Sequence, residues 1–376
     1  MEFWTVEQCC DILDSQRVPV TESERVKGRY PYYGANGVQD HVADFLFDDE
    51  LVLVAEDGGN FGSTTKPIAY RVSGKCWVNN HAHVLKPHED VNVDYLCYAL
   101  MYYPVGNMVN GTTRKKLNQA DLRKMKVPVR PVEAQEDIVR NIQNTETAIE
   151  NRKRVLALLD ELVKSRFVEM FEKYADDLSI YRPLKEVCGF IDYRGKTPEK
   201  SGKGIPLITA KNVKENHFSV EPQEFIPADN YEKVMTRGFP RANDILFTTE
   251  APLGNVCRIP DIYERFCVGQ RILTIQPAPE YLISEYLEHE LLSERFQQKV
   301  RQKSTGSTVV GIRSKLLVEL KVPVPPLPLQ QKFAAFVHQV DATKAAAQEE
   351  ITALETLRGK MMQEFFGVRA GVRAEG

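Results

Sequence analysis

The sequence GTTRKKLNQADLRKMKVPVRPVEAQEDIVRNIQNTETAIENRKRVLALLDELVKSRFVEMF occupies Gly111–Phe171, and a related stretch of equal length occupies Gly306–Phe366. Each matching position lies 195 residues further along the chain, without a gap. The segment KVPV at 126–129, for example, recurs at 321–324. An ungapped register of this length indicates an internal duplication, and a repeat decides the architecture before any local pattern does.

Each copy continues, after Pro131 or Pro326, into a long segment whose first turn is acidic or contains glutamine, as expected for a helix start. Apolar residues then recur in alternating steps of four and three, the heptad pattern of a narrow seam between helices. The predicted seam consists of Ile138, Ile142, Ile149, Leu156, Leu159, Val163, Phe333, Val337, Val340, Ile351, Leu354 and Met361. Helices of about 45 to 60 Å are expected. Two such helices predict a coiled coil formed with each other, and antiparallel pairing would give it a pseudo-two-fold axis; the alternative is two amphipathic helices in an ordinary core.

The stretches that precede the helices share an order of features and predict two mixed α/β modules. Strand-like runs at 51–55 and 245–250 occupy matching places, although the offset between the modules drifts because their loops differ. We therefore predict an α+β fold with a pseudo-two-fold internal repeat. The predicted modules span 1–130 and 173–325, the predicted helices span 131–172 and 326–367, and a flexible tail spans 368–376.

Composition limits the class of protein. The 376 residues carry a net charge of −3 and are 43% hydrophobic, which predicts several domains with sizeable cores. No apolar run approaches the about 18 residues that span a membrane, and the N-terminus shows no targeting pattern, so we expect a cytoplasmic protein. The seven cysteines include no C-x-x-C pair and are expected to be buried thiols.

Local charge favours DNA as a partner. Basic residues cluster around Gly-Thr-Thr at 111–113 and again around Gly-Ser-Thr at 306–308, and small hydroxyl residues beside cations are typical phosphate donors. A tandem duplicate with antiparallel helices also has the two-fold symmetry of the DNA backbone, which dimeric DNA readers exploit. The alternative for either cluster alone is a solvated charged face.

Base reading requires side chains with paired donors or acceptors, such as Arg, Lys, Asn and Gln. The predicted DNA-binding residues of the first half are Lys27, Arg29, Tyr32, Tyr33, Asn36, Thr112, Thr113, Arg114 and Lys115. Those of the second half are Arg194, Lys196, Lys211, Asn212, Lys214, Ser307, Thr308 and Arg313. The alternative for each single residue is a turn or surface role.

No catalytic motif is present, and we predict neither a catalytic residue nor a metal site. His81 and His83, with His88 nearby, have a spacing that could hold a metal, but alternate residues of a strand share a face whether or not a metal binds. Glu56 and Glu250 lie at matching strand ends, where hydrogen bonding to a neighbouring loop suits them better than catalysis.

With these features in view, the chain resembles the specificity subunits of Type I restriction-modification systems over nearly its whole length. The resemblance is carried by the motifs Tyr-Tyr-Gly-Ala-Asn-Gly at 32–37 and Glu-Asp-Gly-Gly at 56–59, the two Gly-x-Thr segments ahead of Val-Pro-Val-x-Pro, and the glutamines Gln135 and Gln330. It implies two target-recognition domains, each followed by a long helix, with the two helices paired as an antiparallel coiled coil. It also implies a non-catalytic DNA-binding subunit that reads a bipartite, asymmetric site, with the coiled coil setting the spacer.

The resemblance further implies that two methyltransferase subunits bind this chain and methylate adenine with S-adenosylmethionine, which this chain itself does not bind. Restriction subunits could join the complex. Two alternatives stay open: a recognition component of a fused or Type II-like modification complex, and a coiled-coil scaffold that binds proteins rather than DNA. Phe167, Met170, Phe365 and Phe366 could dock a partner or pack against the modules.

Overall fold

The computed structural model describes residues 2–111, 115–193, 198–306 and 310–367. The chain forms two compact units. The first contains the chain up to Leu156 and from Ala346 onward, and the second contains Ala157–Ala345. Each unit therefore combines one module with a segment of each long helix.

The first unit is built on a six-stranded mixed sheet. In chain order its elements are β1 (Glu2–Thr5), α1 (Val6–Cys9), β2 (Cys10–Ile12), β3 (Lys27–Gly34), β4 (Gly37–Val42), β5 (Phe47–Ala55), β6 (Ala69–Val78), β7 (Ala82–Pro87), α2 (Val93–Met101), β8 (Val109–Asn110), β9 (Lys116–Leu117), α3 (Gln119–Lys124), β10 (Lys126–Val129) and the first part of α4 (Val132–Phe171). The strand order is β2-β7-β5-β6-β3-β4, and β1 pairs separately with β10.

The central strand β5 is buried on both faces. Val52 and Val54 pack in the core that also contains α2. Leu51 and Leu53 pack in a second core on the opposite face. Successive side chains of a strand alternate between faces, so an unbroken apolar run is what a strand with both faces covered requires. The predicted strand at 51–55 is the second half of β5.

The second unit divides its strands among smaller sheets. Its elements are the rest of α4, β11 (Tyr181–Pro183), α5 (Leu184–Val187), β12 (Cys188–Asp192), β13 (Ile205–Ile208), β14 (Val213–Lys214), β15 (His217–Phe218), β16 (Phe225–Ile226), α6 (Tyr231–Val234), β17 (Ile245–Thr248), β18 (Val256–Arg258), β19 (Cys267–Val268), β20 (Ile272–Pro277), α7 (Ser284–Leu292), α8 (Glu294–Lys303), α9 (Ser314–Leu317), β21 (Lys321–Pro323) and the first part of α10 (Leu327–Phe366). One sheet has the order β12-β20-β17-β18 and another β16-β13-β19. All seven cysteines are buried free thiols, as predicted.

The long helices α4 and α10 contain 40 residues each and begin directly after Pro131 and Pro326. In the first unit, Glu146 of α4 pairs with Arg358 of α10 at 3.6 Å, and Arg152 pairs with Glu350. Because the later residue on α4 pairs with the earlier residue on α10, the two segments are antiparallel. No helix in the described part of the chain is long and apolar enough to cross a membrane.

The helix segments of the second unit are antiparallel as well. Asp160 of α4 pairs with Lys344 of α10 at 2.6 Å, and the rings of Phe167 and Phe333 lie 5.6 Å apart. The helices therefore form an antiparallel coiled coil, with the pairing that the heptads predict.

Burial of the predicted seam varies along the helices. The buried seam residues are Ile138, Ile142, Ile149, Val163, Phe333, Val337, Val340 and Ile351. The half-buried ones are Leu156, Leu159, Leu354 and Met361. Ile138 and Ile142 lie in the core of the first module, and Val163, Phe333, Val337 and Val340 lie in the core of the second. Ile149 and Ile351 are buried outside both cores.

The aromatic residues near the helix ends pack against the modules. Phe167 is buried, and its ring contacts Phe171 and Tyr286 as well as Phe333. In the first unit Phe366 packs on Tyr95 with ring centroids 5.0 Å apart. Phe167 and Met170 are buried and Phe365 is half-buried, so packing explains these residues, and the docking alternative is wrong for the two buried ones.

A buried glutamine in the first turn of α4 joins that helix to its module. Gln135 is 2% exposed, and its Oε1 accepts a hydrogen bond from the Asn92 amide at 2.9 Å. Its Nε2 donates to the carbonyls of Asp90 at 3.0 Å and Arg130 at 2.9 Å. One side-chain amide thereby connects the start of α4, the start of α2 and the residues after β10.

Gln330 repeats this arrangement in the second unit. It is fully buried, its Oε1 accepts from the Ile283 amide at 2.9 Å, and its Nε2 donates to the carbonyls of Tyr281 at 2.9 Å and Pro325 at 2.8 Å. Both hydrogens of the amide and its oxygen are used, so the buried group is satisfied.

We predict that Gln330→Ala lowers the free energy of unfolding by about 2 kcal/mol or more, because it leaves one buried amide and two buried carbonyls without their partner. Thermal and urea unfolding measure this change. Gln348→Ala is the matched control, since Gln348 is exposed on the same helix and its loss should change stability by less than about 0.5 kcal/mol. Equal melting curves for both variants would contradict the anchoring role.

Candidate nucleic-acid interface

Three loops that are distant in the sequence meet at one end of the first unit's sheet. The carbonyl of Glu56, just after β5, accepts a hydrogen bond from the Leu117 amide at 2.7 Å. The Gly58 amide donates to the Lys115 carbonyl at 3.3 Å, and Asn36 Nδ2 donates to the Gly58 carbonyl at 3.0 Å. The β3–β4 turn, the loop after β5 and the segment that leads into β9 are thus held together.

Charged side chains reinforce this junction. Glu56 pairs through one carboxylate oxygen with Arg17 at 2.7 Å and through the other with Lys116 at 2.9 Å. Burial alone would raise the pKa of Glu56, but hydrogen bonds from Lys116 and Arg17 hold that pKa below its ordinary value. Since Lys116 belongs to β9, the pair ties the basic segment at 115–117 to the end of β5.

A buried histidine links the same segment to the start of the chain. His83 Nδ1 lies 2.7 Å from Asp14 Oδ2, and His83 Nε2 lies 2.9 Å from the Leu117 carbonyl oxygen. Asp14 also accepts hydrogen bonds from the Val84 amide and from Gln119 Nε2, each at 2.9 Å. Burial alone would raise the pKa of Asp14, but the hydrogen bond and charge of His83, together with these donors, hold it below its ordinary value.

Both imidazole nitrogens of His83 have a partner inside the module. Nδ1 contacts Asp14, and Nε2 contacts the Leu117 carbonyl. Ligand atoms of Asp14, Glu56 and His83 lie within 4.8 Å of one another, which is the spacing of groups that could hold a metal ion. That no metal binds here stays a prediction of the sequence.

The second unit holds the matching segment on the end of β17. The Ile312 amide donates to the Thr249 carbonyl at 2.9 Å, and Gly311 and Thr305 exchange two backbone hydrogen bonds of 2.9 and 3.0 Å. Thr249 takes the place of Glu56, so the ion pairs that Glu56 makes in the first unit have no counterpart here. Glu250 pairs with Arg271 at 3.4 Å. The two units therefore share the backbone junction but differ in its charges.

Two of the predicted DNA-binding residues in the first unit are tyrosines with roles in packing. Tyr32 is 1% exposed, and its hydroxyl shares hydrogen bonds of 3.2 Å with the amide and carbonyl of Val20. Tyr33 is half-buried and packs on Tyr70 with centroids 5.8 Å apart. Tyr32 has no exposed group with which to contact a base, which corrects its assignment as a DNA-binding residue.

The other predicted residues of this unit that the structure describes are exposed. Lys27 and Arg29 lie on β3, and the guanidinium of Arg29 lies over the ring of Tyr30 at 4.9 Å. Asn36 is exposed, but both ends of its side-chain amide have partners. Its Nδ2 donates to the Gly58 carbonyl, and its Oδ1 accepts a hydrogen bond from Asn60 at 3.2 Å. Lys115 is exposed beside the junction.

In the second unit, Asn212 is an internal residue. It is 3% exposed, its Oδ1 accepts from the Thr209 amide at 2.9 Å, and its Nδ2 donates to the carbonyls of Ser219 at 2.9 Å and Pro222 at 3.1 Å. Because this amide is fully used in holding a loop, Asn212 is not available to read a base, which corrects the sequence prediction.

The neighbouring cations are better placed to contact a ligand. Lys211 is exposed and lies 3.3 Å from Glu224, Lys214 is half-buried on β14, and Arg313 is exposed at the start of α9. Seven predicted residues lie outside the described part of the chain: Thr112, Thr113, Arg114, Arg194, Lys196, Ser307 and Thr308.

The fold and the loops define a class: a tandemly duplicated protein with two recognition modules on paired helices, and basic loops at matching sheet ends. The chain belongs to the family described as the Type I restriction modification DNA specificity domain, whose model matches residues 1–159 and again 180–356. The family predicted from the sequence is thereby confirmed. Its members supply DNA sequence specificity, and catalysis lies in other subunits, so this chain is a non-catalytic specificity protein.

Individual relatives agree with this assignment. The chain is 25% identical over 356 residues to a protein of Haemophilus influenzae described as a type I restriction enzyme specificity subunit, covering 91% of this chain and 88% of the relative. It is 21% identical to the MjaVIII specificity subunit of Methanocaldococcus jannaschii, covering 96% and 91%.

Solved structures show the same fold. The S subunit of the Type I system of M. genitalium superposes with a TM-score of 0.59 at 16% identity, covering 97% of this chain and 96% of that chain. A chain from a structure that addresses assembly of the type I R-M system gives 0.51 at 17% identity, covering 99% and 98%.

We predict that Asp14→Asn destabilises the first unit by on the order of 2 kcal/mol, because His83, the Val84 amide and Gln119 lose their shared carboxylate. The depressed pKa of Asp14 means that its contribution is present above the unfolded pKa of about 3.9 and is lost as the pH falls through the folded value. Thermal unfolding at pH 7 and hydrogen exchange of the Leu117 amide measure the effect. Asp11→Asn, at an exposed position, is the control and should leave both unchanged.

Proposed function

We propose that this protein reads a bipartite, asymmetric DNA site, with each unit reading one half. Two observations support the proposal. Both units hold the segment that follows their Gly-x-Thr motif against the end of a central strand through the same backbone contacts. The side chains around those contacts differ, since Glu56 pairs with Lys116 in the first unit and the uncharged Thr249 takes its place in the second. Equivalent frameworks with unequal side chains suit two half-sites of different sequence.

In this proposal the paired helices set the distance between the half-sites. A helix of 40 residues is about 60 Å long, which is more than one turn of duplex DNA at about 34 Å. The helices are stiffened by buried seam residues and by pairs such as Asp160–Lys344, so they are suited to fixing a length.

Inserting four residues into the middle of both α4 and α10 is expected to lengthen the spacer by one or two base pairs and to leave both half-sites unchanged. Four residues add about 6 Å of helix, against about 3.4 Å for each base pair. Sequencing that detects methylated adenines in cells carrying the variant gives the site directly. An altered half-site would contradict the role of the helices in setting the spacer. Insertion into α4 alone is the control, and it should abolish methylation because it breaks the pairing of the two helices.

We further infer that two identical methyltransferase subunits bind the helices, one for each repeat, and that restriction subunits can join them in the cytoplasm, where the chromosome lies. Leu162 and Leu357 occupy the same position of the repeat and are 48% and 46% exposed. Large apolar side chains exposed at matching places suit a partner that binds twice. The partner would supply the S-adenosylmethionine site and transfer the methyl group to adenine.

Leu162→Glu and Leu357→Glu are each expected to reduce the number of bound methyltransferase subunits from two to one, and the double variant to none, because a charge is placed in an apolar contact. Native mass spectrometry of the complex with the methyltransferase encoded beside this gene counts the subunits. Gln348→Glu introduces the same charge at an exposed polar position and should retain two. Two subunits on the double variant would overturn this docking surface.

A further inference from the structure

The loop that connects β5 to β6 differs between the two units. In the first unit, residues 57–67 read Asp-Gly-Gly-Asn-Phe-Gly-Ser-Thr-Thr-Lys-Pro, here named the 57–67 loop. Asn60 braces it from within, because its Nδ2 lies 3.3 Å from the Pro67 carbonyl and 3.2 Å from Asn36 Oδ1. Phe61 packs against the core. The loop therefore has a fixed base at the junction with the basic segment that leads into β9.

The remainder of the loop carries a cation and hydroxyl groups. Lys66 and Thr65 are exposed, and the hydroxyls of Ser63 and Thr65 lie 3.4 Å apart. The backbone amide of Lys66 donates to Ser63 Oγ at 2.9 Å, which fixes the turn that carries the lysine. Short hydroxyl side chains next to a lysine form a donor set that matches phosphate oxygens.

Lys66 also lacks a carboxylate neighbour. Within the described ranges of the chain, neither Lys66 nor Lys115 forms an ion pair, whereas Arg17 and Lys116 at the same junction both pair with Glu56. Lys66 is next to Pro67, whose carbonyl accepts from Asn60, and Lys115 is in the segment whose carbonyl accepts from Gly58. An ammonium group left unpaired in this setting is available for an external anion.

The second unit has no such loop. Its β17 and β18 are joined by Thr249–Asn255, and the only charged residue in that turn is Glu250. The turn is folded inward, since Gln297 Nε2 donates to the Gly254 carbonyl at 3.0 Å and Thr248 Oγ1 donates to the Pro252 carbonyl. Any phosphate contact made by the 57–67 loop is therefore specific to the first unit.

We propose that the 57–67 loop is a phosphate-binding arm for the DNA backbone beside one half-site only, with Lys66 as its principal cation. This inference rests on the proposed function, in which both units read DNA. It adds that the first unit makes a contact to the DNA backbone that the second unit does not make. The half-site read by the first unit is anchored by an extra backbone contact, and that read by the second unit lacks it. Lys66 positions the duplex and does not select bases, because phosphates carry no sequence.

The test uses the complete complex with its methyltransferase and a duplex that contains the methylated site. Affinity is measured over a range of salt concentrations for the wild type, Lys66→Ala, Lys66→Arg and the control Lys86→Ala. Lys86 is on β7, pairs with Asp49 at 2.7 Å and lies at the opposite end of the sheet from the 57–67 loop. Ethylation interference on each DNA then identifies the phosphates that matter.

Lys66→Ala is expected to reduce the slope of log affinity against log salt by about 0.9, the value for one phosphate contact, while Lys66→Arg and Lys86→Ala keep the wild-type slope. Interference should disappear beside one half-site and persist beside the other. An unchanged slope and interference pattern in Lys66→Ala would overturn the arm while leaving the proposed function intact. Absence of specific binding by the wild-type complex would overturn both.

Discussion

The structure depends on one hydrogen-bonding arrangement that occurs twice: a buried glutamine amide in the first turn of each long helix. Gln135 and Gln330 each join a helix to the start of a second helix and to the residues after a strand. A buried amide with all its partners is stabilising, whereas the same groups without it are costly, so the geometry tolerates little change. This constraint fixes the direction in which each helix leaves its module, as the proposed spacer role of the helices would require.

The loop junctions also use one backbone arrangement in both units. Backbone hydrogen bonds between a strand end and the segment near the Gly-x-Thr motif occur in both units, and the charges around them differ. In the first unit His83 Nδ1 contacts Asp14 inside the module, and Glu56 is held by two cations. Charge is thus used internally to position the segment at 115–117.

The repeat and the heptads were sufficient to predict the long helices and their pairing, because periodicity and duplication are properties of sequence alone. The family and the antiparallel direction of the pairing came from the resemblance carried by the motifs at 32–37 and 56–59 and by the repeated Gly-x-Thr and glutamine positions. The roles of individual side chains could be predicted less well from the sequence. Tyr32 and Asn212 are polar residues in turn-rich stretches, and such residues have the same sequence signature whether they face solvent or satisfy buried groups. The network of Asp14, Glu56 and His83 joins residues that only the folded sheet brings together. One indication of this network was present in the sequence: Glu56 is acidic, and the run of residues after Gly111 is basic.

The most direct test of the central claim, that two unequal units read two unequal half-sites, is a genome-wide map of methylated adenines in the native host with and without this gene. The account predicts that deletion removes methylation from a single bipartite motif whose halves differ, and that restoring the gene restores it. A methylated motif that survives deletion, or one with identical halves, would contradict the account.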